Sequence, residues 1–312
     1  MSGLVVWLSG FRGEVAALAA AWIWAMATVV YRRVGQRLPP LVLNLLKGAI
    51  AIAFLGLTLV LRIGVASPLK NPNMAAPDRL AVGLLFLSGV LGIGIGDTAY
   101  FAALNRLGAR KTLLLETLAP PLAALMALFF LQEQLSWQAW CGILVTLTGV
   151  TWVIAERVTE SASEKSKTLT GIGFGLLAAI TQAGGAVLSR TALTQTSISP
   201  LWSGLIRVMA GSLWLLPWVL MRRQASFLLA PLRSKRLFGA ILIAAFASTY
   251  LAIWLQQTAL KFSATGIAQT LLATSPLFVL PLAVLMKERV SLRAVLGATI
   301  ACAGIGILIS GR

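Results

Sequence analysis

The sequence predicts an all-α integral membrane protein of ten transmembrane helices, built as two inverted five-helix repeats. Three observations predict it. Of the 312 residues, 58% are hydrophobic and only 11% are charged, whereas soluble domains carry about 25% charged residues, and the mean hydropathy is +0.89. The apolar residues fall in continuous runs of about 20, the length of a membrane-spanning helix, without the alternation of a barrel strand. The run pattern is also written twice. A shift of 156 carries Ala103 onto Ala259, Leu104 onto Leu260, Leu115 onto Leu271 and Pro120 onto Pro276. One residue is then dropped, and Glu133 falls on Glu288, Ser136 on Ser291, Gly142 on Gly297 and Gly149 on Gly304.

The expected spans are 14–31, 40–61, 80–104, 112–131 and 137–155, then 169–189, 200–221, 237–260, 264–286 and 293–310. Span 1 is too long, and passes too evenly into further runs, for a cleaved signal peptide. Gly13 opens it as Gly171 opens span 6, and Arg32 then matches Arg190. Spans 2 and 7 open on Pro40 and Pro200, where a helix tolerates proline, and seven residues further on stand Lys47 and Arg207. Span 3 carries Gly92, Gly94 and Gly96 before Asp97, glycines that loosen the helix or admit a neighbour. Span 4 contains Pro120 and Pro121, and span 9 contains Pro276. Spans 5 and 10 each carry two glycines seven residues apart, Gly142 with Gly149 and Gly297 with Gly304. That spacing is two turns, so each pair is a packing face. The polar stretch 156–168 reads as a linker between halves at 13–155 and 169–310. Five spans is an odd number, so the second half must cross in the opposite sense, a build that places a binding site near the membrane midplane between the halves.

The formal charge of +17 does not indicate a nucleic-acid partner. The basic residues are scattered in ones to threes between apolar runs, as loops flanking spans require, and are not gathered on one soluble face. With Lys47 and Arg207 set aside, the loops 1–2, 3–4, 5–6, 7–8 and 9–10 carry 17 Lys and Arg; the termini and remaining loops carry 7. The richer side is called face A below, the other face B. The positive-inside rule puts face A in the cytoplasm and both termini outside. Cys141 and Cys302 lie within apolar runs and read as small core residues. Histidine is absent, which excludes imidazole chemistry. No metal site or cofactor is expected, and no GxxxxGK[ST] loop for ATP is present. Gly94-Ile95-Gly96-Asp97 has the GxGD form of intramembrane aspartyl proteases. Such chemistry needs two aspartates sharing a proton, and the only other one, Asp78, is in a loop. The chain does not read as an enzyme.

Trp24 in span 1, the proline-to-basic openings of spans 2 and 7, and one longer string together resemble a known family. The string is Ala103-Leu104, Pro120, Glu133, Leu135-Ser136, Gly142 and Gly149. The resemblance is to EamA-type transporters of the drug/metabolite transporter superfamily, and two tandem units cover nearly the whole chain. It implies a ten-helix exporter or exchanger of small metabolites, commonly amino acids, with both termini in the cytoplasm; the basic-residue count points the other way. Two positions depart from the pattern: Gln182 stands where Trp24 would recur, and Lys47 where an Arg is usual.

Ionisable residues inside a span are costly and mark function by default. Lys47 and Asp97 each lie about 10 Å from face A, and Glu116 about 6 Å, at 1.5 Å per residue. These three form either a structural ion cluster or a coupling site for H+, in which the two carboxylates would exchange protons separately. Arg207 lies about 10 Å from face B by the same rise. Its half holds no acid inside a span, only Gln256, Gln257 and Gln269 nearby. A guanidinium among amides suits a carboxylate or phosphate, which it can grip with two parallel bonds; alternatively it caps carbonyls or snorkels. Trp24 and Tyr100 are candidate substrate contacts. Pro120, Pro121 and Pro276 free the carbonyls of Glu116, Thr117 and Leu272, so spans 4 and 9 are expected to line the central path. The expected protein is a multi-pass plasma-membrane secondary transporter of a small amino-acid-like or anionic metabolite, with lipid and the substrate as its partners. The alternative is a membrane scaffold whose charge cluster is only structural.

Overall fold

The computed structural model describes residues 10–34, 38–65, 78–154, 165–223, 228, 234–278 and 292–311, and every regular element among them is helical. In chain order these are α1 (Arg12–Val34), α2 (Pro40–Val65), α3 (Arg79–Gly89), α4 (Asp97–Glu116), α5 (Ala119–Leu131) and α6 (Trp137–Ile154). The second half supplies α7 (Lys165–Gln195), α8 (Pro200–Met221), α9 (Lys235–Ala245), α10 (Ala252–Phe262), α11 (Thr265–Leu272) and α12 (Leu292–Ser310). Among the described residues six helices are long and apolar enough to cross a membrane: Pro40–Leu61, Arg79–Gly108, Thr112–Leu131, Leu169–Gln195, Pro200–Met221 and Lys235–Phe262. They coincide with spans 2, 3, 4, 6, 7 and 8. Helices α1, α6 and α12 stand at spans 1, 5 and 10. Span 9 opens with α11, and its continuation at 279–286, with Glu288 and Ser291, lies outside the described residues, as does 156–164 of the expected linker.

Local chemistry sets the breaks. Gly108 adopts φ 75°, and there α4 bends from span 3 into span 4; only glycine takes that backbone readily. Ser199 caps α8 by accepting from the Trp202 N–H, with Pro200 in the first turn, and Ser234 caps α9 through the Leu237 N–H. The prolines break span 4 at Thr117-Leu118 and span 9 at Ala273-Thr274. In each break a threonine hydroxyl takes up a backbone carbonyl, Thr117 with Leu114 and Thr274 with Leu271, both at 2.6 Å. Such side-chain repair is what allows broken helix at membrane depth.

The packing obeys the repeat. Span 3 with its neighbours packs on α7, and span 8 packs on α1; α5 packs on α7, and α11 on α1. Helices α2 and α8 pack together, as do α6 and α12. Each half therefore inserts its broken spans against the first span of the other half. Between α6 and α12 the backbones meet at the paired glycines: a side chain at Gly142 would strike Leu308, one at Gly149 would strike Ala301, and one at Gly304 would strike Thr146. The packing role expected for these glycines accounts for their positions. The outward surface is apolar, with Phe130, Met221 and Val60 largely exposed, as a lipid-facing surface must be. Cys302 is exposed on it and Cys141 is half-buried, so neither is the core residue expected; both are free.

Two π-helical segments interrupt the bundle, at Val90–Gly96 between α3 and α4 and at Phe246–Leu251 between α9 and α10. Their first residues are 156 apart, the repeat shift. A π segment leaves carbonyls without helical partners and is frequent at functional sites. Here Asn44 Nδ2 donates to the Ile93 carbonyl at 2.8 Å, and Trp24 Nε1 to the Ser248 carbonyl at 2.9 Å.

Candidate functional site

The two π segments and the two broken spans surround one cavity of about 250 Å³. From the first half it is lined by Trp24, Tyr31, Lys47, Asp97, Tyr100, Glu116 and Pro120; from the second, by Gln182, Arg207, Ser248, Gln256, Gln269 and Pro276. The layers expected at separate depths therefore meet. Two layers each about 10 Å inside a core of about 30 Å are only about 10 Å apart, within reach of long side chains.

Lys47 Nζ donates to Asp97 Oδ2 at 2.5 Å and lies 5.1 Å from the centre of the Phe101 ring. The other oxygen, Asp97 Oδ1, accepts from Gln182 Nε2 at 3.1 Å. The aspartate thus links α2 to α7, one half to the other, and Lys47 is neutralised. Glu116 does not share that ammonium, contrary to the three-charge cluster expected from depth. Its Oε2 is buried with no hydrogen-bond partner. Glu116 stands at the start of the proline break on span 4 and lines the same cavity as Lys47.

Arg207 is 2% exposed. Its Nη1 donates to Gln256 Oε1 at 3.3 Å, and its Nε has no partner. The Asp97 charge acts on both Arg207 and Glu116, but among the described residues neither forms an ion pair. One unpaired cation and one unpaired carboxyl therefore face the same small cavity. An unpaired ion in a low-dielectric site is costly, and it can be relieved by a ligand of opposite charge.

Two expected site residues fall elsewhere. Gln257 is fully buried behind the wall, where its Oε1 accepts from Ser189 and Ser203. One residue turns a helix by about 100°, so Gln256 facing the cavity carries Gln257 away from it. Pro121 contributes to the break but not to the lining. Sequence reasoning passed over Tyr31, Ser248, Thr249 and Ser275, all on the cavity wall. The signal available was polar Ser248-Thr249 in the middle of an apolar span. Tyr31 also hydrogen-bonds Ser248 across the halves at 3.0 Å.

Gly92 explains how the guanidinium fits. A Cβ there would lie 3.0 Å from Arg207 Nη2 and 3.4 Å from Gln182 Oε1. Gly92→Ala is expected to fold normally, because the far end of a flexible side chain can yield. It should weaken binding of a ligand in the cavity about tenfold by moving a positioned group. An unchanged affinity would show that the guanidinium position is immaterial.

A family model described as the EamA-like transporter family matches residues 11–155 and 169–310. No curated protein matches the chain. A crystal structure of a protein described in no further terms is similar with a TM-score of 0.75 over 96% of this chain and 98% of that one, at 16% identity. That likeness speaks for the fold.

Proposed function

This chain belongs to the EamA-like transporter family of the drug/metabolite transporters, and from that premise we propose that it is a secondary transporter of a small amino-acid-like metabolite. It works as an exporter or exchanger in the plasma membrane. Ten spans in two inverted halves, 13–155 and 169–310 about the linker 156–168, rock around a fixed central site. The observation that carries the substrate class is the cavity holding Arg207 and Glu116, each with an unsatisfied buried atom. Arg207 takes the substrate carboxylate, supported by Gln256 and Gln269. Glu116 takes the ammonium, and Trp24 and Tyr100 flank the side chain. A volume of about 250 Å³ suits a small metabolite, since drug-sized ligands occupy about 300–1,000 Å³.

Energy comes from an ion gradient, with H+ as the coupling ion and Glu116 as its carrier. Asp97 is held by Lys47 and Gln182, which leaves Glu116, of the two carboxyls lining the cavity, without a partner among the described residues. Glu116→Gln should remove the pH dependence of flux in proteoliposomes; a pH profile identical to wild type would end the H+ assignment. The test of the function itself is counterflow of amino acids and organic acids in proteoliposomes. Accumulation of an amino acid, lost on N-acetylation and on esterification, is the expected result. Absence of flux across the panel would favour a scaffold.

A further inference from the structure

On face B a polar clamp joins the two halves beneath the cavity. Glu133, just past α5 of the first half, pairs with Arg190 of α7 in the second half, Oε1 to Nε at 2.6 Å. The other carboxylate oxygen accepts from the backbone N–H of Thr265 at 2.8 Å, at the first residue of α11. Arg190 Nη1 donates to the carbonyls of Leu260 and Lys261, at 2.7 and 2.9 Å, in the last turn of α10. One acid and one base thus tie the ends of α5, α7 and α10 to the start of α11.

The position of the clamp matters as much as its bonds. Gln256 and Gln269 line the cavity. Leu260 is four residues beyond Gln256, and Thr265 is four residues before Gln269, so the clamp lies about 6 Å below the cavity on the face-B side. Towards face A the lining continues to Leu104 and Tyr31, near the ends of their spans. The cavity therefore runs towards face A and is underlain at face B. The clamp also crosses between the halves that alternating access must move apart. Both partners remain partly exposed, at 15% each, so water can solvate the separated charges.

We propose that Glu133 and Arg190 form the face-B gate, closed in this conformation and broken when the site opens to face B. The inference rests on the transport reading for its purpose, and its test does not require transport. Native thiols are removed by Cys141→Ala and Cys302→Ala, and a reporter is introduced by Ser275→Cys on the cavity wall. Labelling by a charged, membrane-impermeant methanethiosulfonate is followed from each face in oriented proteoliposomes. The parent should label from face A and be protected from face B. Glu133→Gln should raise face-B labelling tenfold or more. Thr265→Pro should raise it by less, because it removes one backbone donor at a first helical position that accepts proline; Ala264, at φ −55° and ψ 145°, already has the backbone that precedes one. Arg190→Lys keeps the charge but loses the planar fork onto two carbonyls, and should give an intermediate rise. Unchanged face-B labelling in all three variants, each monodisperse on size exclusion, would reduce the clamp to a structural tie and overturn the proposal. If wild type carries no substrate while the labelling responds as expected, the gate stands and the transport reading falls.

Discussion

Arg207→Ala is expected to weaken substrate binding by roughly 30-fold to several thousand-fold, the range set by about 2–5 kcal/mol for losing one partner of a buried charged hydrogen-bonded pair. The same substitution should leave thermal stability unchanged or raise it. The guanidinium is 2% exposed, has an Nε without a partner and gives one hydrogen bond to a neutral amide. Its burial therefore costs free energy in the empty protein, and removing it relieves that cost. A residue that holds the bundle together would show the opposite sign: Arg207→Ala would lower the melting temperature along with affinity. Arg207→Lys keeps the charge and loses the bidentate fork, and should fall between wild type and alanine. Isothermal titration and thermal melting on the same purified samples separate the two accounts.

The second large effect is on stability. Asp97→Asn should destabilise the protein by about 3 kcal/mol, the low end for breaking a buried pair. The side chains of Lys47 and Asp97 are only 10% and 20% exposed, so the stranded ammonium would have little water to turn to. The Gln182 bond can survive on the asparagine oxygen, which keeps the loss from being larger. Removing both charges together tests the assignment. Lys47→Met with Asp97→Leu should recover most of the stability, since methionine keeps the stem against Phe101 and no charge is stranded. If the double variant is as unstable as the sum of the singles, the pair is not the source of the effect.

Much of this arrangement could be read from the chain, because it rests on position along spans. Pro40 with Lys47, and Pro200 with Arg207, fix two helix starts and two depths. Asp97 falls at the depth of Lys47 by counting residues, and they pair. The breaks at Pro120 and Pro276 follow from the missing N–H. Contacts that depend on rotation and on the opposite half could not be read. Gln257 differs from Gln256 by about 100° of helix, which separates a buried serine contact from the cavity wall. Gln182 reaches Asp97, and Tyr31 reaches Ser248, across the halves. No periodicity within a span announces which span of the other half it will meet. The π segments shift the helix register without changing hydropathy. Only the glycines at 92, 94 and 96 and the polar Ser248-Thr249 hinted at them.

The claim beneath all of this is that the second half carries a guanidinium reserved for a substrate carboxylate. The measurement closest to it is the binding of one transported amino acid and its methyl ester to wild type and to Arg207→Ala by isothermal titration. Wild type should prefer the acid over the ester by tenfold or more, and Arg207→Ala should bind the two alike. An acid-over-ester preference that persists undiminished in Arg207→Ala would contradict it.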